Sequence, residues 1–183
     1  MSQREQMNRI LTGGYCIGCG ACAAADPAIT IHLNAHGMYQ ADISAATESG
    51  LSRALAVCPF SEVGANEDEL SKQLFPGCAQ DARIGSYRSL EIGHVTQGDV
   101  REQATSGGMI SWLCTELLNR GLVDRVVHVH KAHRAETGTL FQYGVSSTPA
   151  EVMAGAKSRY YPVELSQVLE TIKTVPGRFV VIG

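Results

Sequence analysis

The chain has 183 residues, which suggests one domain or two small ones. Lys and Arg total 15 against 18 Asp and Glu, a net charge of −3, so no basic footprint points to nucleic acid or an anionic membrane. The 44% hydrophobic content fits a globular protein, no apolar run is long enough to span a bilayer, and the polar start MSQREQMNRI lacks a signal-peptide core, which predicts a cytoplasmic protein.

The first 63 residues read as one small unit. Cysteines stand at 16, 19, 22, 58, 78 and 114, and three of the six fall within Cys16-Ile17-Gly18-Cys19-Gly20-Ala21-Cys22. Ile29 to Leu33 alternates apolar and polar residues, Asn34 to Gly37 is a turn, and Met38 to Ile43 returns, which predicts a hairpin. Leu51, Leu55 and Cys58 share one helical face, and Pro59 ends it. Residues 64–87 are predicted to be a linker with a short helix, carrying Cys78 as a free thiol.

From residue 88 strands and helices alternate. Leu90–Val95 is a predicted strand, and Met109, Ile110, Leu113, Leu117 and Leu118 form a helical stripe that Gly121 closes in a left-handed conformation. Cys114 lies in that stripe as a packing residue. Arg125–His130 and Leu140–Val145 are further strands. His128, His130 and His133 read either as a polar sheet end or as a second metal site. Thr148-Pro149-Ala150-Glu151 starts a helix, Leu165, Val168, Leu169 and Ile172 mark another, and Phe179–Ile182 is an apolar strand. A chain that stops at Gly183, just after a buried strand, is expected to be a fragment of a longer protein.

The cysteine pattern carries the chemistry. C-x₂-C-x₂-C supplies three thiolates on one tight loop, suited to three corners of an iron–sulfur cube. A ferredoxin run would continue x₃-C-P, but here Asp26 precedes Pro27. The later Cys-Pro is Cys58-Pro59, with no triplet before it. A ferredoxin-like unit that kept one [4Fe–4S] cluster, on Cys16, Cys19, Cys22 and Cys58, accounts for both losses. The alternative is a structural zinc ion, which more often uses two separated C-x₂-C pairs.

Two loops in the second part suit a phosphate-bearing ligand. Ala104-Thr105-Ser106-Gly107-Gly108-Met109 opens a helix, where free N–H groups and hydroxyls can meet phosphate; simple capping also explains Thr105 or Ser106. Lys157-Ser158-Arg159-Tyr160-Tyr161-Pro162 combines two cations, a hydroxyl and two rings, and reads either as a clamp or as an exposed basic turn.

In the order CIGCGAC, Cys58-Pro59, ATSGGM, GLVD, KSRYYPVELSQVL and PGRFVVIG, the chain resembles the coenzyme F-420 hydrogenase/dehydrogenase beta subunit family. The resemblance implies an iron–sulfur flavoprotein oxidoreductase of α+β class: a ferredoxin-like domain over residues 1–63, a linker over 64–87, and the first half of an α/β flavin-binding domain over 88–183. It implies one [4Fe–4S] cluster and FAD, with a deazaflavin or another organic donor or acceptor and a redox partner protein or subunit. It carries Thr105, Ser106, Gly107 and Gly108 over as flavin-phosphate contacts, Lys157, Ser158, Arg159 and Tyr160 to the flavin site, and the four cysteines as cluster ligands. It names no acid or base, and it implies that this length alone is inactive because the family's second half is absent. The alternative function is a cluster-carrying electron-transfer module without its own catalytic site.

Overall fold

The computed structural model describes residues 1–132 and 138–183, so His133 lies outside the described residues. The fold is mixed α+β with small sheets. Helix α1 (Gln3–Thr12) was not legible as an element, yet Ser2 caps it with a full capping box to Glu5 and it buries Met7 and Ile10. After a short α2 (Ala21–Ala25), strands β1 (Thr30–Leu33) and β2 (Tyr39–Asp42) form the expected antiparallel hairpin, with Ile31 opposite Ala41. Helix α3 (Glu48–Val57) is capped by Thr47 and ends at Cys58. Met7, Ile10, Ile29, Ala41, Ile43, Ala46, Leu51, Ala54 and Leu55 make the core of this part.

Asp26, expected to mark a lost cluster ligand, has a structural task. It is buried, accepts from the Ala28 N–H at 2.8 Å and pairs with Arg53 at 2.9 Å. Gly50 makes the room, since a Cβ there would overlap the Asp26 carboxylate.

The expected linker contains its short helix, α4 (Glu67–Leu74), and also an unexpected hairpin of β3 (Ala79–Asp81) and β4 (Gly85–Tyr87). The strand expected over Leu90–Val95 does not form. Its apolar residues find no sheet to enter: Leu90 is largely and Ile92 fully exposed, and Val95 alone of the run is buried, its N–H bonded to the Gly107 carbonyl at 2.8 Å.

Short α5 (Val100–Gln103) precedes α6 (Met109–Asn119), and Gly121 takes the expected positive φ of 61° after it. Strand β5 (Arg125–Lys131) is central in a three-stranded sheet, antiparallel to β6 (Phe141–Ser146) and parallel to β7 (Phe179–Val181). Between β6 and β7 run α7 (Pro149–Ala154), with its capping box of Thr148 and Glu151, and α8 (Ser166–Thr174). Cys114, Val126 and Val152 form a second core, so Cys114 packs as expected. Helix α8 packs on both α2 and β6, tying the two parts together.

Candidate functional site

The four expected ligands come from two elements. Cys16, Cys19 and Cys22 lie on the α1–α2 turn and the start of α2, and Cys58 caps α3. They line one cavity together with the apolar side chains of Met7, Ile10, Ile31 and Phe60. Gly18 and Gly20 turn the loop at φ of 66° and 82°, and both are also pressed against neighbours. A Cβ at Gly18 would overlap the Tyr39 carbonyl, and one at Gly20 the Glu164 carboxylate. Only glycine satisfies both demands, backbone and space.

Burial, then the nearby Cys19, Cys16 and Cys58 sulfurs, raises the Cys22 thiol to about 11, and burial raises Cys58 as well. Thiols this reluctant to ionise would release protons when cations bind. Among the described residues, no three His, Cys, Asp or Glu side chains are gathered closely enough to hold a single metal ion. Cys78 lies in the turn after α4, outside this cavity, and Cys114 in the second core.

The second site is a cleft of about 520 Å³ between the N-terminus of α6 and the segment after α7. Thr105, Ser106, Gly107, Gly108, Lys157, Ser158 and Arg159 all line it. Tyr160 does not: it is 96% exposed. The two loops meet directly, the Ser158 N–H donating to Thr105 Oγ1 at 2.8 Å.

Individual roles differ from expectation. No side chain caps α6, whose N-cap Gly108 has φ 75°, so the first-turn N–H groups are open to a ligand. Neighbouring protein already accounts for the missing side chain at Gly107 and Gly108. A Cβ at Gly107 would meet the Gly93 carbonyl at 2.9 Å, and one at Gly108 would press on Val100. Arg159 is engaged by the Ala156 and Lys157 carbonyls and lies 5.3 Å over the Phe141 ring. Lys157 is exposed and holds φ 81°, a left-handed conformation unfavourable to a side chain.

Sequence reasoning missed the cleft's other wall. His128 and Tyr143 belong to it. Far from a polar sheet end, His128 is buried on the central strand and bonds Ser146 Oγ through Nε2 at 2.8 Å. Burial first, then His130, pushes its pKa down to about 4. The alternation of β5 placed His128 and His130 on one face, but their burial depended on which face α7 covers.

Residues 92–170 match the family model described as coenzyme F420 hydrogenase/dehydrogenase, beta subunit N-term. The matched segment takes in both cleft loops and α6, and the cysteine motif lies before it. No curated protein matches the chain. Among the described residues no helix is long and apolar enough to cross a membrane.

Proposed function

We propose that the chain is the cluster-bearing and flavin-binding portion of an iron–sulfur flavoprotein oxidoreductase. In this reading a single [4Fe–4S] cluster sits on Cys16, Cys19, Cys22 and Cys58, and FAD occupies the cleft. The protein exchanges electrons with a deazaflavin or another organic compound and with a partner redox subunit in the cytoplasm. Its parts are a ferredoxin-like unit over 1–63, a connecting segment over 64–87 and a flavin-binding unit over 88–183.

One observation carries this reading. The loop bearing three of the cysteines is bonded two residues beyond the cleft wall at Val163, the Leu165 N–H donating to the Cys19 carbonyl at 2.9 Å. A cysteine cavity and a small-molecule cleft thus share a common support, as a protein that moves electrons between two centres requires.

The residues fit both groups. Four thiols with an apolar wall suit a cube, whose irons take one thiolate each. A structural zinc ion more often takes its donors from two separated C-x₂-C pairs than from a triplet and one distant cysteine. The cleft's volume is in the range of small-molecule sites. Thr105, Ser106 and the open α6 amides would hold a phosphate, Lys157 would neutralise it, and Tyr143 with the apolar residues would exclude water. Bound flavin would supply one- and two-electron chemistry; the protein orients it and sets its potential.

The test is anaerobic reconstitution followed by iron, sulfide and flavin analysis. Roughly four irons and four sulfides per chain are expected. Cys58→Ser should lose most of the iron and Cys78→Ser should keep it. Equal losses, or zinc in place of iron, would overturn the ligand set. Reconstituted cluster with no FAD affinity would leave an electron-transfer module instead.

A further inference from the structure

The flavin reading leaves one buried group of titratable side chains without a task. His128 Nε2 lies 2.8 Å from Ser146 Oγ, and His130 Nε2 lies 3.4 Å from the same oxygen. The two imidazole centroids are 4.1 Å apart. Two glycines make the room. A Cβ at Gly155 would be 2.6 Å from His128 Nδ1, and one at Gly144 would be 2.9 Å from His130 Cδ2. His128 and Gly155 line the cleft, Ser146 is fully buried, and His130 is half-buried.

The hydroxyl between the rings decides what this arrangement can do. Ser146 has one proton to donate and lone pairs to accept with. It can therefore donate to one imidazole only, and the other must donate to it. Two arrangements satisfy this, and passing from one to the other moves one proton along the row. We propose that His128, Ser146 and His130 form a proton relay from the cleft to the half-exposed end of the pair. It serves a ligand that exchanges protons together with electrons.

The step balances without electrons. A proton released in the cleft binds His128 Nδ1, and the Nε2 proton of His128 passes to Ser146 Oγ. The Ser146 proton passes to His130 Nε2, and His130 releases its Nδ1 proton to water. The reverse sequence delivers a proton to the cleft. Burial keeps both imidazoles below their ordinary pKa, so both are neutral and able to accept at neutral pH. The charged group facing the pair is Glu151 on α7, whose carboxylate is held by the Ser147 and Thr148 N–H groups at 2.7 and 3.1 Å. It does not bridge the two rings.

The identity of the served ligand rests on the flavin reading, but the relay can be tested without flavin. Proton NMR of the unloaded full chain gives the exchange rate of the His128 ring N–H with water. Ser146→Ala and His130→Gln are each expected to slow it on the order of tenfold or more. The Trp112 indole N–H, bonded to Gln97 at 2.8 Å, serves as a control for general loosening and should not change. An unchanged His128 rate in a folded variant overturns the relay; His130→Gln, at a half-buried position, decides the matter if Ser146→Ala does not fold. A chain that binds no FAD yet shows the slowing overturns the flavin reading and leaves the relay standing.

Discussion

Leu165 donates its N–H to the carbonyl of Cys19, so the first residue before α8 is fastened to the middle cysteine of the triplet. Around this bond the contact is close. Glu164 lies against Gly20 while bonding the Ser166 N–H at 2.6 Å, and the Lys173 ammonium donates to the Ala24 carbonyl at the end of α2. Both ends of α8 thereby meet the cysteine loop and the short helix that follows it.

Gly20→Ala should therefore disturb both parts of the molecule. The residue holds φ 82°, and an added Cβ would strike Glu164 and the Ser166 N. A loss of about 2 kcal/mol in urea denaturation is expected, with lower iron retention after reconstitution. Wild-type stability with wild-type iron would show that α8 does not support the loop.

Asp26 is predicted to matter for stability and not for metal. Asp26→Ala removes the bond to Ala28 and the partner of Arg53, and should lower stability by about 1–2 kcal/mol. The iron content of the folded variant should match the wild type. A stable variant with altered iron stoichiometry would contradict this.

Thr105 ties the two cleft loops together. Thr105→Val keeps its shape but leaves the Ser158 N–H without its acceptor at 2.8 Å. FAD affinity should fall by roughly tenfold, the equivalent of one such bond, while Thr105→Ser should retain it. Equal affinity in all three proteins would detach this contact from ligand binding. A substitution at Gly107 is a poor probe, because its side chain would meet Gly93 whether or not a phosphate binds.

Lys157 offers a test in which two readouts move oppositely. Lys157→Gly relieves a left-handed conformation at φ 81°, and stability should rise by up to about 1 kcal/mol. The same change removes a cation from the cleft wall, so FAD affinity should drop. A variant that gains stability and keeps its affinity would remove Lys157 from the binding site.

The buried imidazole predicts a pH dependence with a definite sign. His128 is held near 4 in the folded chain against an ordinary value of 6.5. Between these values the unfolded chain takes up a proton that the folded chain refuses, so stability falls as pH drops from about 6.5 to about 4 and the contribution is level below that. The slope for one proton is at most about 1.4 kcal/mol per pH unit. Melting curves over this range should be flatter for His128→Gln than for the wild type. Parallel curves would mean that His128 is charged or exposed in the folded chain.

The sequence by itself determined the local elements whose signals are self-contained. The cysteine spacing, the β1–β2 hairpin with its Asn34 to Gly37 turn, the Thr148 capping box and the α6 stripe with Gly121 were all readable, because each depends on residues within about one turn or one hairpin of one another. Elements whose character depends on a distant partner were not. Leu90–Val95 has a strand's composition, but no strand lies beside it, so Leu90 and Ile92 stay exposed and only Val95, bonded to the Gly107 carbonyl, is buried. Cys58-Pro59 singled Cys58 out along the chain, but the cavity it shares with Cys16, Cys19 and Cys22 exists only because α1, β1 and β2 pack against α3. Tertiary structure alone decided that Tyr160 turns away from the cleft, that Asp26 meets Arg53 and that His128 is buried beside Ser146. In each case the deciding neighbour is far along the chain, and only the packing of separate elements brings the two within a few ångströms.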